Sequence, residues 1–93
     1  MAICRIIETG ATPEEYDQVR SNVGLDDAVP PGAKFHVAAK GDDGKIRIIE
    51  LWDSRDEAER FTEEKVRPAR EAAGFAERQP TITYLEVHRL AGV

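Results

Sequence analysis

Apolar and polar positions along this chain alternate between short β-branched runs and helical spacing, and their order predicts the elements. Residues 2–8 are rich in isoleucine and stop at Thr9-Gly10, which predicts a first strand. Tyr16, Val19 and Val23 then fall at i, i+3 and i+7, a single apolar stripe on a helix. The start of that helix has a mechanism. Thr12 can cap it, Pro13 sits where no N–H is needed, and Glu15 can complete a capping box. Gly24 can end it, and residues 24–33, with Asp26-Asp27 and Pro30-Pro31-Gly32, predict a loop.

Residues 34–40 and 45–52 predict two strands joined by Gly41-Asp42-Asp43-Gly44. A three-residue loop with Gly44 left-handed in a G1 bulge sets the register, so that paired residue numbers sum to about 86. Phe35 then faces Leu51 and Val37 faces Ile49, giving one apolar face. The other face carries Ala38 beside Ile48, His36 beside Glu50, and Lys34 near Trp52. A two-residue loop would split this pattern, and the bulged turn is preferred for that reason.

Ser54-Arg55-Asp56-Glu57 forms a second capping box directly after the third strand. Ala58, Phe61, Lys65 and Ala69 continue at helical spacing, and Pro68 is expected to kink the helix or restart it up to Gly74. The charged run with Glu57, Glu63 and Arg67 predicts the solvated face of this helix. Residues 81–88, after Pro80, have the β-branched and aromatic content of a fourth strand.

The order is βαββαβ, an α+β, ferredoxin-like fold with a four-stranded antiparallel sheet and two helices on one face. Right-handed crossovers place both helices on the same side and leave the other bare. The bare face is expected to carry Ile48, Trp52, Ile82 and Tyr84 beside the polar groups, too much apolar area to stay wet on a short chain. A homodimer with C2 symmetry, enclosing a pocket between sheet and partner, is the expected remedy.

Composition narrows the function. At 93 residues, the chain is read as one domain, residues 1–93. A net charge of -5, with bases interleaved among acids, argues against nucleic acid as a partner. No apolar run reaches the length of a membrane span, the start lacks the apolar core of a signal peptide, and Cys4 stands alone, so a cytoplasmic protein is expected. No metal-ligand spacing and no phosphate-binding glycine motif is present, so neither a metal nor a nucleotide cofactor is expected.

The run Glu50-Leu51-Trp52-Asp53-Ser54-Arg55-Asp56-Glu57-Ala58, leading to Phe61 and Pro68, resembles the strand-to-helix junction of the dimeric α+β barrel proteins related to the antibiotic biosynthesis monooxygenases. Pro31-Gly32 with His36-Val37-Ala38-Ala39 resembles a branch of small proteins of that superfamily. The resemblance implies the dimeric α+β barrel fold and a pocket-lining role for Trp52. It does not imply haem: the haem-degrading group has an asparagine on strand one and a histidine on helix two, where this chain has Cys4 or Ile6 and Phe61-Thr62. No cofactor is expected.

Within the expected pocket, His36 and Glu50 are the candidate catalytic pair, since a carboxylate can fix an imidazole tautomer and raise its basicity. A histidine satisfied by a cross-strand acid at an interface is the plain structural alternative. Trp52, Tyr84, Ile48 and Glu86 share the parity that would bind a small aromatic ligand. His88, near the C-terminus, is expected at the surface or an interface. Two functions fit: a cofactor-independent monooxygenase of an aromatic or enolisable molecule, or a non-enzymatic dimer that binds a small ligand or supports another protein. The catalytic version requires His36 to face an open cavity and to point away from the helices.

Overall fold

The computed structural model describes residues 2–25 and 28–92, so Asp26-Asp27 of the expected loop lie outside the described residues. Its elements are β1 (Ile3–Glu8), α1 (Pro13–Val23), β2 (Ala33–Lys40), β3 (Ile46–Trp52), α2 (Arg55–Phe61), a π-helical turn (Thr62–Val66), α3 (Arg67–Ala72) and β4 (Thr81–Glu86). The strands form one antiparallel sheet in the order β2-β3-β1-β4, the ferredoxin-like arrangement.

Local chemistry accounts for the boundaries. Thr12 accepts a hydrogen bond from the Glu15 N–H, and the Glu15 carboxylate accepts one from the Thr12 N–H, closing the expected capping box on α1. The hairpin between β2 and β3 closes as the three-residue turn: the Gly41 N–H donates to the Lys45 carbonyl, the Gly44 N–H donates to the Gly41 carbonyl, and Gly44 has φ 79°. The pairs Phe35↔Leu51, His36↔Glu50, Val37↔Ile49 and Ala38↔Ile48 follow. At the far end the register shifts. Trp52 pairs with Ala33, while Lys34, expected beside Trp52, bulges out and reaches Asp53 at 3.3 Å. β4 ends at Glu86, earlier than expected, although the Val87 N–H still donates to the Ala2 carbonyl.

Pro68 stands in the first turn of α3, the restart expected of it. The helix widens into the π-helical turn just before it.

The two faces of the sheet are exchanged relative to expectation. Arg5, Ile48, Glu50, Trp52 and His36 lie under the helices, whereas Val37 (42% exposed), Ile49 (37%) and Leu85 (49%) occupy the uncovered side with half-buried Ile6 and Cys4. The cause is the short connection after β3. Only Asp53-Ser54 precede α2, so the chain folds back over the side of its last strand residue. Trp52 packs on Phe61 with ring centroids 5.6 Å apart and is 1% exposed, next to fully buried Ala58. The apolar pairs Phe35–Leu51 and Val37–Ile49 therefore belong to the bare face, even though Leu51 is itself buried.

Candidate active site

A carboxylate on a central strand under a layer of helices must be neutralised and hydrogen-bonded to stay charged. Glu50 meets this requirement fully. Its Oε1 accepts from Arg5 Nε at 2.9 Å and from Trp52 Nε1 at 3.0 Å, and lies 2.7 Å from Arg5 Nη2; its Oε2 meets His36 Nδ1 at 2.8 Å. Antiparallel pairing supplies both partners, because Arg5 and His36 stand opposite Glu50 on the two flanking strands. Burial pushes the Glu50 carboxyl up, but the His36 bond, the Arg5 charge and the Trp52 N–H together outweigh it and bring the carboxyl down to about 2.

The helices complete the cluster. Arg5, 1% exposed, donates through Nη1 to the Ala58 carbonyl at 3.1 Å and to the Thr62 hydroxyl at 2.7 Å, and its guanidinium lies 5.3 Å from the Trp52 ring centroid. From α1, the Tyr16 hydroxyl sits 2.5 Å from His36 Nε2. The ionised Glu50 can only accept, so Nδ1 carries the proton and donates to it, and in the neutral imidazole Nε2 is then the acceptor for the Tyr16 O–H. Burial raises the Tyr16 phenol above its ordinary value. The result is a continuous chain: Tyr16, His36, Glu50, Arg5.

This chain forms one wall of a cavity of about 110 Å³ between the sheet and the helices. Ile7 and Ile48 form the sheet side, and the stripe Tyr16, Val19 and Val23 forms the α1 side. No residue of α1 is buried, so its apolar stripe covers a space and not a filled core. The half-exposed Glu15–Arg78 pair also lines the cavity, with bonds of 3.0 and 3.2 Å that hold the Glu15 carboxyl at about 2.

The cavity that His36, Glu50 and Ile48 line lies between the sheet and the helices of one chain, whereas these residues were expected on the bare face toward a partner. His36 points toward the helices, which overturns the scheme that placed it on the far side, yet it lines a cavity there with Glu50 and Ile48. Trp52 is behind this wall, fully buried against Phe61. Tyr84 lies under the Arg55 guanidinium at 4.2 Å, and Glu86 is exposed at the end of β4, both away from the cavity. Arg5, Tyr16 and Thr62 were not singled out from the sequence. A lone arginine in an isoleucine-rich strand was the available signal for Arg5, since a buried cation demands a buried acid.

Among the described residues, no group of three or more His, Cys, Asp or Glu side chains could hold a metal, and no helix is long and apolar enough to cross a membrane.

No family model matches the chain, and no curated protein matches it. Solved structures do. A candidate antibiotic biosynthesis monooxygenase from Caulobacter crescentus aligns over 95% of this chain and 91% of its own, with 21% identity and a TM-score of 0.67. The chain shares the fold of that protein. The same fold is shared with SnoaB, a cofactor-independent oxygenase from Streptomyces nogalater, over 96% of this chain and 93% of that one at 16% identity and a TM-score of 0.62. It is shared also with Rv0793 from Mycobacterium tuberculosis, over 99% and 100% at 15% identity and a TM-score of 0.69. At these identities the likeness concerns architecture, and chemistry has to be argued from the site.

Proposed function

We propose that the chain is a cofactor-independent monooxygenase of a small enolisable or phenolic molecule, which binds in the cavity beneath α1 and is deprotonated through Tyr16. The observation that carries this reading is the Tyr16–His36–Glu50 chain of hydrogen bonds on the cavity wall. Its logic is that of a hydroxyl activated by an imidazole whose tautomer a buried carboxylate fixes. Substrate gives its acidic proton to the Tyr16 oxygen while the Tyr16 proton moves to His36 Nε2. The imidazolium is stabilised by Glu50, and Arg5 keeps that carboxylate ionised.

The carbanion, its charge spread into the ring or enolate, then reduces oxygen and combines with it. Protonation by the returning relay gives a hydroperoxide, and loss of water leaves a carbonyl, so that one CH2 and one O2 become one C=O and one H2O. The redox partners are the substrate and oxygen themselves. SnoaB shows that this architecture can house oxygen chemistry without a cofactor, which supports the reading by analogy of fold.

The homodimer belongs to this proposal in altered form. A second copy covers the bare face with Val37, Ile49 and Leu85, leaving the cavity to each chain separately.

Oxygen uptake with a panel of single-ring polyphenols such as phloroglucinol and hydroquinone tests the reaction. Tyr16→Phe, which removes only the hydroxyl, should lower kcat by about 10²-fold or more without changing the melting temperature by more than a few degrees. Full turnover in that variant removes Tyr16 from the mechanism. Ligand binding without oxygen uptake in the native chain favours the non-enzymatic reading.

A further inference from the structure

Arg70 lies on α3 and lines the same cavity, and its Nε is buried without a hydrogen-bond partner. Other cavity-lining arginines are provided for. Arg5 is held by Glu50, Arg78 by Glu15, and Arg20 donates to the Ala28 carbonyl. Among the described residues Arg70 has no ion pair, although the chain as a whole carries five more acidic than basic side chains. A guanidinium can never shed its charge, so burial leaves it to seek an acceptor. Val19, Val23, Val66 and Phe75 give the cavity apolar lining, and its two acids, Glu15 and Glu50, are already paired with Arg78 and Arg5.

We infer that the cavity is a binding site for a small apolar anion, one carboxylate on an aromatic or branched hydrocarbon body, with Arg70 as the residue that receives the carboxylate. The fork of the guanidinium matches two carboxylate oxygens, and the hydrocarbon body lies on the valines and on Ile48. Such a ligand satisfies the buried Nε and supplies the counter-charge that Arg70 lacks among the described residues. A volume of about 110 Å³, smaller than the dry cavity of about 150 Å³ that accommodates benzene, makes a single ring the upper limit for the body. The inference shares the cavity with the oxygenase reading and adds an acid group to the ligand; it needs no turnover.

Benzoate and benzyl alcohol are the probes, titrated calorimetrically into the intact protein. Benzoate should bind at one site per chain and at least tenfold tighter than the alcohol. In protein labelled with 15N-arginine, one Nε–H resonance should move on addition of benzoate, and Arg70→Lys should remove that resonance. Arg70→Gln should abolish the preference for the acid while the melting curve stays cooperative. Should Arg70→Gln unfold the chain, the Nε–H shift in the unmutated protein decides alone. Equal affinities for the two probes, no binding of benzoate at millimolar concentration, or an unmoved resonance would overturn the inference. The two proposals fail separately: benzoate binding in a chain that takes up no oxygen would sink only the oxygenase reading, and oxygen uptake in a chain that ignores benzoate would sink only the anion site.

Discussion

Glu50 joins the strands to the helices through charge, and its charge sets how the molecule answers to acid. The folded carboxyl sits at about 2, against 4.5 as its ordinary value. Because the folded value is depressed, the stabilisation is complete above the ordinary value and disappears as the pH falls toward 2. At about 1.4 kcal/mol per unit, the window corresponds to roughly 3 kcal/mol. Acid titration followed by circular dichroism should therefore show a loss of stability concentrated between about pH 4.5 and 2, and Glu50→Gln should flatten that segment. The same substitution strands the Arg5 guanidinium beside Trp52 and should cost about 3 to 5 kcal/mol in urea denaturation at pH 7. Adding Arg5→Met to it should cost less than the two single changes summed, since the contact couples them. The His36–Glu50 pair was legible in the sequence because a turn of known geometry fixes the register across β2 and β3. Arg5 and Tyr16 were not, because β1 meets β3 through no turn and α1 meets β2 only in three dimensions.

The π-helical turn is the element on which the cavity depends. Pro68 lacks an N–H and its ring crowds the preceding turn, so the backbone widens over Thr62–Val66 and does not break. Widening keeps the helix continuous while the Thr62 hydroxyl and the Ala58 carbonyl both reach Arg5. Pro68→Ala restores the missing donor and allows a regular α-helix. Its melting temperature should stay level or rise, while kcat for the oxygen-consuming reaction falls because Thr62 rotates away from Arg5; an unchanged kcat would show that the widening is incidental. Apolar spacing, the capping box at Thr12 and the Ser54 cap announced the helices with their first residues, although at Ser54 the Glu57 carboxylate accepts from the serine hydroxyl and the box does not close, and Pro68 announced an irregularity. Which irregularity followed was decided by tertiary packing on Arg5 and Trp52, and spacing along one helix contains no information about that.

For the whole molecule, the bare face is the outstanding liability. Val37 and Ile49 pair across β2 and β3 and Leu85 stands on β4 at the opposite edge, each exposed by more than a third on a sheet that has no third layer. Val37→Glu with Ile49→Glu should convert a dimer into a monomer in sedimentation velocity at micromolar concentration; a native chain that sediments as a monomer would refute this use of the face. Alternation in the hairpin separated the two groups of residues correctly, but alternation is symmetric and does not say which group the helices cover. The two-residue connection from Trp52 to α2 settled it, by turning the chain back over the tryptophan's own side. The three-residue turn at Asp42-Asp43-Gly44 then has a reach beyond the hairpin it closes. Inserting or deleting a single residue there would invert the partnership of every side chain across β2 and β3, bringing Val37 under α1 and exporting His36 to the outside. The length of that turn, counted as odd or even, thus selects between a greasy cavity and one equipped to move protons.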